Sequence, residues 1–170
     1  MMRALARLPR MGRDERGSMA IETAFVAPVL LMLALGGFEV SQMVARQTEL
    51  QSAAAEAAAV VRAVAPESDS ERATVRDIVA TSLCGNTDPT VTDGAATCGT
   101  TSVRVNSVFR CGSTTSYTTD ESACSGGVTN EYIQIRVTDS YVPIWANYGI
   151  GSGFDYDVDR TVLVGSETGT

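Results

Sequence analysis

Ala24 to Phe38 reads AFVAPVLLMLALGGF, fifteen residues without a charge. Met19, Ala20 and Ile21 extend the apolar run upstream, Val40, Met43 and Val44 extend it downstream, and Glu22 and Glu39 mark its ends. Written as an α-helix, Ala20 to Val44 rises about 37 Å at about 1.5 Å per residue, which crosses a hydrocarbon core of roughly 30 Å with some tilt. Upstream lie Arg3, Arg7, Arg10, Arg13 and Arg16 against only Asp14 and Glu15. A basic segment before a single span places the amino terminus in the cytoplasm and the remainder outside.

The remainder differs in character. The chain of 170 residues carries a formal charge of −7, and from Ser18 onward eight Arg face eighteen acids. That balance disfavours a nucleic-acid surface. At this length the chain holds one compact domain plus one long separate element. Apolar positions continue past the span on one helical face, at Val40, Met43, Val44, Leu50, Ala54, Ala57, Val61 and Val64, with Arg46, Glu49, Gln51, Glu56 and Arg62 opposite. Pro66 ends this helix near Ala65. Ser68 and Glu71 form a capping box for a short second helix with Val75, Ile78, Val79 and Leu83 as its stripe, closing at Gly85.

Three strands are expected beyond it. Ser102 to Arg110 alternates with Val103 and Val105 inward, and with Ser107 and Phe109 as further inward candidates. Tyr132 to Ser140 alternates most clearly, with Ile133, Ile135 and Val137 on one face. Tyr156 to Val164 brings Tyr156, Val158, Val162 and Val164 into phase, interrupted by Arg160. The expected fold class is α+β: a long amino-terminal helix, a short second helix and a small antiparallel meander with disulfide-stapled loops. The expected divisions are 1–17 as a cytoplasmic leader, 18–45 as the span, 46–65 as the external continuation of the helix and 66–170 as a periplasmic domain.

Cys84, Cys98, Cys111 and Cys124 stand 14, 13 and 13 residues apart. An even count in a loop-rich region beyond a membrane span suggests two disulfides in an oxidising compartment. Without His or a C-x-x-C pair a zinc site is disfavoured, and no metal or other cofactor is expected. The spacing does not by itself fix the pairing; neighbouring pairs, Cys84 with Cys98 and Cys111 with Cys124, close the shortest loops and are the expected connectivity.

Catalytic constellations are missing from the sequence. Asp155, Asp157 and Asp159 start like a calcium loop, but the Gly at the sixth position and the Glu at the twelfth are absent. Gly149, Gly151 and Gly153 lack the strand-to-helix context of a dinucleotide site, and no His serves a nucleophile. No catalytic residue and no small-molecule substrate are expected. Trp145, with Tyr141, Ile144 and Tyr148 around it, is expected to plug the core, with a partner-binding surface as the alternative.

The remaining chemistry is done to the chain. Arg16-Gly17 precedes Ser18-Met19-Ala20-Ile21-Glu22, followed by the apolar run with Pro28 inside it. A basic leader, a Gly before the scissile bond, an acid five places after it and an apolar helix resemble a prepilin peptidase substrate. The segment RGSMAIETAFVAPVLL is similar to the amino terminus of TadE-type minor pseudopilins of the tight-adherence (Flp) pilus system. Thr23 departs from that pattern, standing where an aromatic commonly follows the Glu. The resemblance implies cleavage between Gly17 and Ser18, a structural or assembly role in the pilus, and as partners the peptidase, other pilins and the assembly machinery. It also implies that Glu22 meets the terminal amine of a neighbour's Ser18. The other reading of Glu22 is an interfacial acid stabilising the positive helix terminus. Pro28 either kinks the helix or is tolerated without a role.

Two further classes compete. A bitopic protein whose periplasmic module binds a ligand or an adhesive target retains the span without an assembly role. A fully secreted protein needs a signal-peptidase site after the run, and Met43-Val44-Ala45 matches A-x-A poorly.

Overall fold

Pro66 sets the first boundary of the fold. In the computed structural model, which describes residues 15–112, 114–124 and 127–168, helix α1 runs from Glu15 to Val64. Ala65 leaves the helical region with φ 45°, its amide still donating to the Val61 carbonyl at 2.8 Å. Helix α2, Asp69–Cys84, starts on the capping box: the Glu71 amide donates to the Ser68 hydroxyl oxygen and the Ser68 amide to the Glu71 carboxylate. The Ser68 amide, with the Ser68 hydroxyl and the Glu67 amide, holds the Glu71 carboxyl below its usual range. Gly85 turns the chain out with φ 59°.

Five strands follow, β1 (Thr90–Thr92), β2 (Ala95–Cys98), β3 (Thr101–Cys111), β4 (Val128–Tyr141) and β5 (Phe154–Thr168). They form one antiparallel sheet in sequence order. The three expected strands are β3, β4 and β5; the hairpin partner strands β1 and β2 were not anticipated. Asp93 (φ 50°) and Gly94 (φ 75°) make the tight link between them.

The chain divides into two units, Met1–Ser41 and Gln42–Thr170. In the described part of the first, α1 exposes Ile21, Phe25, Leu30, Leu31, Met32, Leu33, Leu35 and Phe38, so it is apolar around its circumference. This stretch is long and apolar enough to cross a membrane. The leader positions Arg3, Arg7, Arg10 and Arg13 lie outside the described residues.

The second unit holds the core. Leu50, Ala54, Ala57, Ala58 and Val61 of α1 and Val75, Val79, Ala80 and Leu83 of α2 join Ala96, Val103, Val105, Ile133, Ile135, Val137, Tyr156, Val158 and Val162 of the sheet. Register explains the sheet's share: Val103 pairs with Val137 and Val105 with Ile135, so one face carries the whole apolar set. The opposite face is polar, with Arg136 paired to Asp157 and Gln134 donating to Asp159 at 2.6 Å. Arg160 stands opposite Ile135 yet remains exposed.

Two inward assignments need correction. In β3, Val108 is buried while Ser107 and Phe109 are only half-buried. The Phe109 backbone makes a two-way bridge with Thr118, so the following loop returns along this strand. Cys111–Cys124 closes that loop, while Cys84–Cys98 joins the end of α2 to β2. The second correction concerns Trp145, which is not a core plug. It is half-buried in a loop where Ile144 and Tyr148 are exposed, outside the cluster formed by the helices and the sheet.

Polar contacts fasten α1 to the sheet at the Gln42 end of this unit. Arg46 donates from Nε to Asp139 at 2.6 Å, from Nη2 to the Thr101 hydroxyl at 2.8 Å and from Nη1 to Glu49 at 2.8 Å. Asp139 also accepts from the Thr100 hydroxyl at 2.7 Å and the Ser140 amide at 2.8 Å. The Tyr156 hydroxyl donates to the Met43 carbonyl at 3.1 Å. Burial alone raises the Asp139 carboxyl, but the bonds from Thr100, Arg46 and Ser140 and the Arg46 charge outweigh it and hold the group below the usual carboxylate range.

A depressed carboxyl stabilises the fold above its unfolded-state value and loses that contribution as pH falls through its folded-state value. Acid titration of the full chain in detergent should show stability declining across that window, and Asp139→Asn should flatten that part of the curve. At neutral pH the same variant should lose about 2–3 kcal/mol, since Arg46 keeps its charge without its main partner. Unchanged thermal unfolding of Asp139→Asn would remove the clamp role. Reduction of either disulfide should cost about 3 kcal/mol for loops of this length.

Candidate functional site

The residues singled out for processing and assembly all fall in the first three turns or so of α1. Gly17 is exposed, and a Cβ built there has nothing within 4 Å. Gly17 lies in α1 close to where the described residues start. Glycine weakens its turn of helix by about 1 kcal/mol relative to alanine, so α1 unwinds more readily around Gly17 than alanine would allow.

Glu22 is exposed, four residues after Ser18 and so on the same helical face. Along the helix, the Thr23 hydroxyl donates to the Met19 carbonyl at 2.8 Å. Pro28 lies inside the continuous helix and is exposed. Its missing N–H leaves the Ala24 carbonyl without the usual donor, a local softening without a break. Ile21, Phe25, Val26 and Val29 surround these positions with exposed apolar surface.

Elsewhere the candidates resolve into structural parts. Asp155, Asp157 and Asp159 alternate along the solvent face of β5, two of them engaged by Arg136 and Gln134. Gly149, Gly151 and Gly153 shape the β4–β5 loop; a Cβ at Gly153 would stand 3.3 Å from the Tyr141 carbonyl. The four cysteines are bonded in the two neighbouring pairs. An open depression lined by Glu67, Asp69, Arg72, Arg76, Glu131 and Glu167 also carries Val105 and Phe109, and within it the Ser107 hydroxyl donates to the Glu131 carboxylate at 2.7 Å.

Sequence reasoning did not single out the Arg46–Asp139 clamp. Two opposite charges 93 positions apart carry no local signal, and only the helix-on-sheet geometry joins them.

Residues 17–59, the segment holding Gly17, Glu22 and Pro28, match the family model described as TadE-like protein. No curated protein and no solved structure gives a significant match.

Since the space around Gly17 is open, Gly17→Ala should leave the fold intact and slightly strengthen this turn of α1. Circular dichroism of the full chain should show equal or greater helix content. A loss of helix would reveal that Gly17 is needed for the fold, and not only for recognition by a peptidase.

Proposed function

We propose that this chain, TadE-like over residues 17–59, is a minor pseudopilin-like structural or assembly component of a tight-adherence pilus, cut by a prepilin peptidase after Gly17. The observation that carries the reading is the pairing of two features in that matched segment. A glycine, Gly17, precedes an acid at Glu22, and a helix with apolar side chains around its circumference follows. The helix supplies the inner-membrane span, with the leader cytoplasmic and the disulfide-bonded unit periplasmic. The role is assembly and not catalysis: the chemistry-bearing residues are the substrate of another enzyme, and the partners are that peptidase, other pilins and the assembly machinery.

Glu22 then has a defined task. A carboxylate at the edge of a hydrocarbon region is costly unless paired, and the Ser18 amine of a neighbouring subunit supplies the opposite charge. An anchored periplasmic binding module would need neither the cut nor this charge.

Mass spectrometry of the membrane-bound protein should give Ser18 as the mature terminus; an intact leader, or a start beyond Phe38, would count against processing by a prepilin peptidase. Glu22→Gln keeps the size and removes the charge. In a strain carrying the processed variant at normal abundance, pilus-dependent adhesion and co-purification with other pilins should fail while both disulfides form as in wild type. Wild-type adhesion and partner recovery would reject charge pairing and favour the anchored module.

A further inference from the structure

From Tyr141 to Phe154 the chain reads YVPIWANYGIGSGF, fourteen residues without a charge in a mature part that is otherwise strongly acidic. This β4–β5 loop exposes large apolar side chains in a row: Tyr148 is 78% exposed, Ile150 65%, Val142 63%, Ile144 57% and Phe154 51%. The loop is nevertheless built. Pro143 is buried at its base, a 3-10 turn runs from Ile144 to Tyr148, and Gly149 (φ 76°, ψ 17°) reverses the chain. The Ile150 amide returns to the Trp145 carbonyl at 3.2 Å, and the Trp145 indole lies against Gly151, where a Cβ would be 3.7 Å from Nε1. An ordered loop that turns apolar side chains outward requires something apolar to cover them.

Its place in the second unit says what that is. Phe154 stacks edge-on against Tyr156 with ring centroids 5.0 Å apart, and the Tyr156 hydroxyl holds the Met43 carbonyl. Phe154 and Tyr156 share a shallow cleft with Met43 and Val44. The loop base therefore stands beside the helical turn that begins this unit at Gln42. A helix entering a hydrocarbon core of roughly 30 Å near Ile21 has used about 20 residues by Ser41 and emerges there. Chain continuity thus brings the loop to the level of the outer headgroups. Its residue types, Trp, two Tyr, Phe and aliphatics without Lys, Arg, Asp or Glu, are those that settle at a membrane–water boundary.

We propose that the Val142–Phe154 loop is a second membrane contact, dipping Ile144, Trp145, Tyr148 and Ile150 into the outer leaflet of the bilayer that α1 spans. This rests on the membrane-anchored reading above. A helix alone leaves the periplasmic unit free to rotate and tilt, whereas the loop fixes which side of the sheet faces the lipid. The acidic strand residues Asp155, Asp157 and Asp159 begin immediately after the loop, which sets a sharp limit to the depth of entry.

Trp145 is the only tryptophan in the chain and reports on the loop directly. The full chain is reconstituted into phosphatidylethanolamine–phosphatidylglycerol liposomes carrying a nitroxide either near the headgroup or near the bilayer centre. The headgroup probe should quench Trp145 emission about twofold or more, and more strongly than the central probe, as expected for an interfacial aromatic. The double variant Tyr148→Ser/Ile150→Ser, at two exposed sites, should lose most of that quenching while still floating with the vesicles. Full quenching by aqueous iodide with no response to either lipid probe, in protein that floats, would overturn the loop contact and leave the anchor intact. Protection from both iodide and lipid probes that disappears on diluting the protein in lipid would also overturn it, assigning the loop to a second copy of the chain. Failure to float would overturn the anchor and the loop contact together.

Discussion

The second unit depends on one stripe of small side chains. Leu50, Ala53, Ala54, Ala57, Ala58 and Val61 are buried in succession along α1, and alanine lets a helix lie close to whatever it meets. Both α2 and the β3–β4–β5 face pack into the same cluster. A stripe this smooth fixes contact without fixing rotation or slide, since hydrophobic burial is not directional. Direction comes from the polar end. Arg46 reaches Asp139 and Thr101 on neighbouring strands at once, and the Tyr156 hydroxyl takes the Met43 carbonyl, so the helix is pinned at one register. The planar guanidinium suits this task better than an ammonium would, because its donors are fixed relative to one another.

The disulfides address a different weakness. The segments on either side of β3 have little apolar material, and β1 is exposed along its length. Cys84–Cys98 fixes the β1–β2 hairpin to the end of α2, and Cys111–Cys124 holds a polar loop along β3 beside Val108. Tyr117 against Tyr132 and Arg110 over the Tyr132 ring complete that second, smaller cluster on the face away from the helices.

Where local chemistry determines structure, the sequence was readable. Pro66, the Ser68–Glu71 box and Gly85 gave helix ends to within a residue or so, and strict alternation located β3, β4 and β5. The hairpin of β1 and β2 was missed although Asp93-Gly94 is a strong turn signal, because three- and four-residue strands of Thr and Ala show no periodicity. Val108 was missed because a loop closed by a distant cysteine covers the face that alternation assigns to solvent. Trp145 misled for a related reason: an aromatic cluster signals burial, but not whether protein or lipid does the burying. Of the candidate site, the TadE-like segment was legible as a run of residues around Gly17 and Glu22, whereas the Arg46 clamp existed only once helix and sheet were joined.

On the function proposed above, the contrast between the two parts of α1 bears on assembly. Beyond Gln42 the helix packs Leu50, Ala54, Ala57, Ala58 and Val61 into the core of its own unit. Between Ile21 and Phe38 it exposes large apolar side chains around its circumference. Lipid tails and the packed helices of a fibre are both apolar, so such a surface is accommodated by either and distinguishes poorly between them. On the proposed reading, transfer from bilayer to fibre then costs little along most of the span, and the preference must come from the few groups that do distinguish the two. Glu22 is one, since only a neighbour's terminus offers it a charge. The β4–β5 loop is another with the opposite sign, because its aromatic side chains lose their lipid boundary when the helix leaves the membrane. A subunit balanced between these two contacts stays at the base of an assembly more readily than in its shaft, which accords with a minor component and not with a bulk one.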